Sequence, residues 1–312
     1  MAHDRRIRFA LQAPRAADGA AWGGLARRAE DLGFSVLSLP DHLGDQFSPI
    51  PALAWAAAAA PSIRLGMFVL ANDFRHPGIL ARDVATLDVL SGGRVELGLG
   101  AGWEEAEYRA LGIAFDRPGE RIERLAEAAS LIRRALAGER VSARGRHYHV
   151  EELTVLPAVA QPGGVPLVLG GGGRRILTLA GSFADIVSIA TDNRSRQGRQ
   201  DPTAAVRTSA VRRQVEWVRE GAGERFDDVE LNIRVLAVGV GVDRGLAAGA
   251  AATEAGWAVE DVVDSPFALV GSTEDIAAQI LRQRDDLGIS YYTVSLRHAA
   301  ALAGVLEAIA GR

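Results

Sequence analysis

Residues 166–181 read PLVLGGGGRRILTLAG. A short apolar run, Leu167–Leu169, meets four consecutive glycines, Gly170, Gly171, Gly172 and Gly173, and a helical stretch opens at Arg174. Strand, turn and helix in that order form the unit from which parallel α/β folds are built. Glycine gives a core nothing to pack and costs conformational entropy, so four in a row mark a sharp turn or a very close approach.

The same alternation runs outward in both directions. Before the glycines, Ile7–Leu11 reads as a strand and Ala20–Leu32 as a helix with Leu25, Ala29 and Leu32 on one face. Ser35–Leu39, Ile63–Leu70 and Arg94–Leu99 read as further strands, separated by the helical stretches Ile50–Ala60 and Gly78–Leu90. Two more helical stretches, Glu104–Leu111 and Arg117–Ala137, follow. After the glycines come strands at Ile186–Ile189, Leu231–Val240 and Tyr292–Leu296, with helices at Thr203–Glu220 and Ala300–Ala310. The strands are short and rich in Val, Ile and Leu, as strands buried on both faces are. Eight such repeats imply a (β/α)8 barrel of class α/β, with 1–312 a single domain. An open doubly wound sheet is the alternative, but its dinucleotide fingerprint is missing after the first strand.

Three segments depart from the repeat. Val141–Val165 contains RGRHYHVEELTVLP and reads as an inserted hairpin after strand four. Thr191–Pro202 is polar and reads as a loop. Gly241–Ser265 is rich in glycine and alanine, with a short helix expected near GWAVEDVVDSPF.

Composition narrows the chemistry. The 312 residues carry a net charge of −4, 48% hydrophobic and 24% charged residues, which fits a soluble enzyme and not a nucleic-acid binder. With no cysteine, disulfides, thiolate metal sites and a cysteine nucleophile are excluded. All 35 basic residues are arginine, so mechanisms that form a Schiff base on a lysine amine are excluded too. No run approaches the roughly 18–20 apolar residues of a membrane span, and no signal-peptide pattern opens the chain. A cytoplasmic protein is expected.

The junction at Gly170–Gly173 ends a strand and starts a helix. In a barrel that junction lies on the catalytic face, where a helix N-terminus favours an anion. Arg174 and Arg175 add positive charge. Phosphate binding is the reading this supports, and a plain tight turn is the alternative. The sequence is not a Walker A loop, because the GK[ST] ending is absent.

PLVLGGGGRRILTLAGSFADIVSI resembles the phosphate-binding segment of the luciferase-like flavin and deazaflavin oxidoreductases. LGFSVLSLPDHLGD resembles their second-strand segment with its Asp-His pair. IRLGMFVLANDFRHPGILARDVATLDVLSGGRVELGLGAGWEEAEYRALGI resembles their third and fourth strands. The resemblance covers nearly the whole chain, in the family's order. It implies a barrel holding a flavin-type ring at the C-terminal strand ends. The segment FVLANDFRHP is most similar to members that use the deazaflavin coenzyme F420.

The resemblance places Asp41 and His42 beside the reactive edge of the ring. Independently, histidine titrates near neutrality and an adjacent carboxylate tunes it, which suits proton transfer. Capping by Asp41 and packing by His42 are the plain alternatives. The family carries a cis peptide bulge at the end of strand three, among Phe68, Val69, Leu70 and Ala71, placed by position at Phe68–Val69 with Leu70–Ala71 as second choice; an ordinary strand end is the plain alternative. Asn72 follows, within reach of the ring's polar edge, and Arg75 and His76 either hold that loop or face a dimer partner. Gly98, Gly100 and Gly102 alternate and would leave one strand face bare for a flat ring, or else serve close packing. Trp103 and Glu104 are candidate substrate residues, with tryptophan where some deazaflavin dehydrogenases of the family carry a glutamate acid. Arg194 and Arg196, with Arg199, are candidates for an anionic substrate or the acidic coenzyme tail. His147 and His149 are read as structural, and no metal site is expected.

These readings give a hydride-transferring oxidoreductase that uses coenzyme F420 on a small-molecule substrate. The alternatives are an FMN-dependent monooxygenase of the same family and a non-catalytic coenzyme-binding barrel. No nucleic acid or membrane is expected as a partner. A homodimer is expected through the alanine-dense stretch PALAWAAAAAP, with Trp55 as anchor, and packing of that helix against its own barrel is the alternative.

Overall fold

The computed structural model describes residues 5–191 and 204–309. Its strands are β1 (Arg8–Gln12), β2 (Val36–Leu39), β3 (Arg64–Ala71), β4 (Val95–Gly100), β5 (Val141–Arg144) and β6 (His149–Leu153), then β7 (Leu167–Gly171), β8 (Ile186–Ile189), β9 (Glu230–Arg234), β10 (Ala237–Val240), β11 (Ala268–Gly271) and β12 (Ile289–Ser295). The helices are α1 (Gly19–Asp31), α2 (Pro49–Ala59), α3 (Pro77–Ser91), α4 (Glu105–Leu111), α5 (Pro118–Leu136), α6 (Arg174–Phe183), α7 (Thr208–Ala222), α8 (Arg244–Ala255), α9 (Val259–Asp264), α10 (Thr273–Leu287) and α11 (Ala303–Ile309). Eight strands close into one barrel in the order β1, β12, β9, β8, β7, β4, β3, β2. The (β/α)8 architecture read from the sequence is therefore present. Contacts gather the chain into two compact units, one of residues 13–30 and 36–169, the other of 1–12, 31–35 and 170–312.

In the first unit, β2, β3 and β4 pair in parallel, and every residue of β2 and β4 is buried. Trp22 of α1 is buried, and its Nε1 donates to the Ala52 carbonyl at 2.8 Å. Helix α3 starts where a helix can: Pro77 follows the N-cap His76, whose ring accepts the Gly78 N–H at 3.1 Å. It stops at Gly92, which takes a left-handed φ of 70°. The expected hairpin is real. β5 and β6 pair antiparallel, and its tip is pinned to α5 by Glu127, which accepts the N–H groups of Arg146, His147 and Tyr148 at 3.0, 2.9 and 3.2 Å.

In the second unit, β12 pairs with β1 and β9, and β8 with β9. A buried polar chain crosses three of these strands: Ser188 donates to Asn232 and Asn232 to Thr293, each at 2.9 Å. The expected seventh strand, 231–240, is two strands. The Val235 N–H still bonds Thr293, but that of Leu236 bonds Phe267. The chain changes partner there, and β10 leaves the barrel to pair with β11 in a small parallel sheet. An alanine-rich cluster of Ala237, Ala248, Ala251 and Val262 packs this excursion. The expected short helix is α9. A continuous apolar run conceals such a break, because nothing in it marks a change of partner.

Candidate active site

His42 lies just beyond β2. Its Nδ1 is 3.1 and 3.2 Å from the two carboxylate oxygens of Glu107 in α4. The Leu43 N–H donates to the same carboxylate at 2.9 Å. The Trp103 indole stands edge-on to the imidazole, with ring centroids 5.6 Å apart and an 80° interplanar angle. Trp103 is 45% exposed and Leu43 49% exposed, so His42 sits among open apolar side chains.

Asp41 does something else. Its carboxylate takes both arms of Arg75, at 2.5 and 3.0 Å, and accepts the Ala71 N–H at 3.0 Å. The expectation that the neighbouring aspartate tunes His42 is thereby corrected: the carboxylate against the imidazole is Glu107, while Asp41 anchors the end of β3. Arg75 likewise holds the loop.

The cis bond lies at Phe68–Val69, and the β3–β4 ladder shifts register between Met67 and Leu70. Phe68, Val69 and Ala71 are half-buried, whereas Leu70 is fully buried. Asn72 is only 2% exposed. Its amide donates to Asp73 at 3.0 Å and to the Tyr148 hydroxyl at 3.1 Å, so it ties the hairpin to the end of β3. Burial pushes the Tyr148 phenol up. Asp73 also accepts from the Tyr108 hydroxyl at 3.1 Å and from Arg124 at 2.7 Å. Burial, reinforced by the Asp73 carboxylate, pushes the Tyr108 phenol far up, which keeps it a donor. A cleft beside this turn is lined by Arg75, His76, Asp116, Arg124 and His147. Its two guanidiniums are already paired with carboxylates.

The alternating glycines of β4 are not bare. A Cβ on Gly98 would overlap the Met67 carbonyl, one on Gly100 would lie 2.8 Å from Val69 Cγ2, and one on Gly102 would overlap the Tyr108 hydroxyl. The bulge of β3 fills the space beside Gly98 and Gly100, and Tyr108 fills that beside Gly102, where a ring was expected. Gly102 additionally has a φ of 74°, and the Arg121 guanidinium holds its carbonyl and that of Ala101 at 3.3 and 3.2 Å. Glu104 caps α4 through the Ala106 N–H at 3.4 Å.

The second glycine stretch divides. A Cβ on Gly170 would lie 2.6 Å from the Ser188 carbonyl oxygen, and one on Gly171 2.5 Å from Ile176 Cγ2, so close packing requires these two. Gly172 accepts from Gln214 Nε2 at 2.9 Å. Gly173 is the N-cap of α6, no side chain caps that helix, and a Cβ there would meet open space. The first-turn N–H groups of a helix lack intrahelical acceptors, so this end is fit to receive an anion. Arg174 is turned away, with its guanidinium 2.6 Å from Glu220 of α7. Arg194, Arg196 and Arg199 lie outside the described residues. His147 is half-buried and His149 exposed. Among the described residues no group of three or more His, Asp or Glu is placed to hold a metal ion, and no helix is long and apolar enough to cross a membrane.

The residue the sequence did not disclose is Glu107. It sits in the acidic run Glu104–Glu105–Ala106–Glu107, which reads as a solvated helix face. The signal was the neighbour Tyr108, which is buried and turns that side of a short helix inward.

The luciferase-like monooxygenase family model matches residues 8–242. The chain belongs to that family. Among curated relatives, an F420-dependent glucose-6-phosphate dehydrogenase of Microbacterium testaceum is 36% identical over 165 residues, 50% of this chain and 48% of the relative. An F420-dependent hydroxymycolic acid dehydrogenase of Mycobacterium tuberculosis is 35% identical over 168 residues, 51% of this chain and 46% of the relative. The chain thus spans about half the length of the curated relatives it matches. A solved structure of a coenzyme F420-dependent tetrahydromethanopterin reductase from Methanopyrus kandleri shares the fold, with a TM-score of 0.77 at 20% identity over 97% of this chain and 98% of that one.

Proposed function

We propose that this member of the luciferase-like family is an F420-dependent oxidoreductase that exchanges a hydride and a proton with a small alcohol or carbonyl substrate. The observation that carries the reading is His42, an imidazole held by Glu107 beside the exposed Trp103 and Leu43. Oxidising an alcohol removes a hydride from carbon and a proton from oxygen, and His42 is the group that takes the proton. When bound, the deazaflavin supplies the two-electron hydride acceptor. The names of the relatives, each matched over about half of its length, support the choice of F420.

The residues fit such a coenzyme in each unit. The uncapped end of α6 at Gly173 suits a phosphate. The half-buried Phe68 and Val69 offer an apolar edge to a flat ring. Asp41, the buried Leu70, Asn72, Gly100 and Gly102 shape the backbone around that edge, and Ala71 is held in place by Asp41. Equilibrium titration with F420 and FMN at matched salt tests the choice. F420 binding at least about tenfold tighter, roughly 1.4 kcal/mol, is expected. Equal affinities, or FMN retained through purification, would overturn it in favour of the monooxygenase chemistry.

The protein is further read as a cytoplasmic homodimer. Trp55 of α2 is 58% exposed although its Nε1 is satisfied by the Gly19 carbonyl at 2.8 Å, and Val89 and Leu90 of α3 are exposed as well. A solution mass near 33.0 kDa by light scattering would reject the dimer.

A further inference from the structure

We infer that Glu107 is a positioning residue that selects the tautomer of His42 and aims its Nε2 at the substrate. The inference deepens the reading above and rests on His42 being the proton-moving group. An ionised carboxylate only accepts hydrogen bonds. Glu107 offers two oxygens to Nδ1, at 3.1 and 3.2 Å, so Nδ1 carries the hydrogen. In the neutral ring Nε2 is then a bare acceptor, the form that takes a proton from a hydroxyl. In the protonated ring the same Nε2 is a donor, the form that returns one to a carbonyl. Both directions of the reaction therefore use one nitrogen in one place.

Three features hold the carboxylate and the imidazole in place. The Leu43 N–H donates to Oε1, so the residue next to His42 is tied to the same group. The Glu107 side chain is far more buried than the imidazole, 14% against 36% exposed, which leaves the ring as the open member of the pair. The edge-on Trp103 indole flanks the imidazole and restricts its rotation. Two cations that could compete for the carboxylate are engaged elsewhere: Arg75 is paired with Asp41, and Arg109 with Glu105 on the outer face of α4. A histidine whose one nitrogen is fixed by a hydrogen-bond partner has its tautomer and ring orientation set by that contact.

The test is nitrogen-15 NMR of histidine-labelled protein without coenzyme or substrate, recorded at about pH 9, far above the ordinary histidine range. The chain has six histidines, and the His42 signals are assigned by their loss in His42→Ala. Wild-type His42 is expected as the Nδ1–H form. Glu107→Leu, which removes the acceptor, and Glu107→Asp, which withdraws it by one methylene, are each expected to move His42 toward the Nε2–H form. Glu107→Gln keeps a carbonyl acceptor and is expected to retain Nδ1–H. A wild-type Nε2–H form would overturn the inference, as would an unchanged tautomer in whichever of the Leu and Asp variants folds. A purely structural role for Glu107 would alter stability in these variants and leave the tautomer alone. Because no coenzyme is present, failure here leaves the F420 titration untouched, and failure of that titration leaves this result standing.

Discussion

The chain has two glycine-rich strand ends that look alike as sequence and differ as structure. At the end of β4, Gly98, Gly100 and Gly102 are each filled by a neighbour: the Met67 carbonyl, the Val69 side chain and the Tyr108 hydroxyl. At the end of β7, Gly170 and Gly171 are filled in the same way, by Ser188 and Ile176, but Gly173 opens onto space at a helix N-terminus. Glycine therefore has two uses here. One admits another part of the protein, and the other leaves backbone N–H groups uncovered for something that is not protein.

The sharpest way to break this contrast is a side chain at Gly98. Overpacking a core typically costs about 1–3 kcal/mol when side chains can yield. The obstacle at Gly98 is a backbone carbonyl in a paired strand, so Gly98→Val is expected to abolish the cooperative urea transition or lower stability by more than about 3 kcal/mol. A variant with the wild-type midpoint would show that the bulge of β3 yields easily and that β4 has spare room for a ring after all.

Much of this was legible in the sequence, and the part that was not has a physical cause. The barrel follows from repeated apolar runs and helical stretches, which report burial directly. The place of the cis bond, Phe68–Val69, followed from family resemblance and is where the bond lies. The use of each glycine was not legible, because a missing side chain carries no record of what occupies its place. The partner of His42 was not legible either. Adjacency in the chain suggested Asp41, but that side chain reaches Arg75, and the carboxylate that reaches the imidazole comes 65 residues later, from α4. The double use of 231–240 was hidden because an apolar run looks the same in one sheet as in two.

The next largest effect is expected at the open end of β7. Gly173→Val places its side chain in open space, with the backbone already at an ordinary φ of −98°. Its stability without coenzyme should stay within about 1 kcal/mol of wild type. If the uncapped amides hold a phosphate, F420 affinity should fall by on the order of 2 kcal/mol, about thirtyfold, through steric exclusion and lost hydrogen bonds. Calorimetric titration reads the affinity and urea denaturation the stability. A loss of both, or of neither, removes the distinction between the two strand ends.

A strand end that uses side chains instead of glycines gives a smaller, pH-dependent effect. Beyond β12, the 3-10 turn Leu296–His298 buries His298. Its Nε2 faces Glu254 and Arg297, each at 3.2 Å, and its Nδ1 lies 3.3 Å from the Ser295 hydroxyl. Burial holds its pKa below the ordinary value, with Glu254 working against that shift. The unfolded chain then binds the proton more readily than the folded one. Stability is full above about pH 6.5, the ordinary histidine value, and falls as pH drops through that value toward the lower native one. The urea midpoint of the wild type should decline between pH 8 and pH 5 more steeply than that of His298→Gln. Parallel declines would assign the loss to other groups.

The smallest effect separates backbone from side chain at the proposed phosphate end. Arg174 opens α6, and its position in the sequence suggests that it binds the coenzyme. Its guanidinium is instead 2.6 Å from Glu220, with both side chains about half or more exposed. Such a surface pair contributes little to stability, about 0–1 kcal/mol. A phosphate held by amides at Gly173 does not need it. Arg174→Ala is therefore expected to change F420 affinity less than about threefold and to leave the urea midpoint nearly unmoved. A tenfold loss at low salt that vanishes at high salt would mean that the arginine leaves Glu220 for the coenzyme. The anion would then be held by a charged side chain as well as by the backbone that the glycines leave bare.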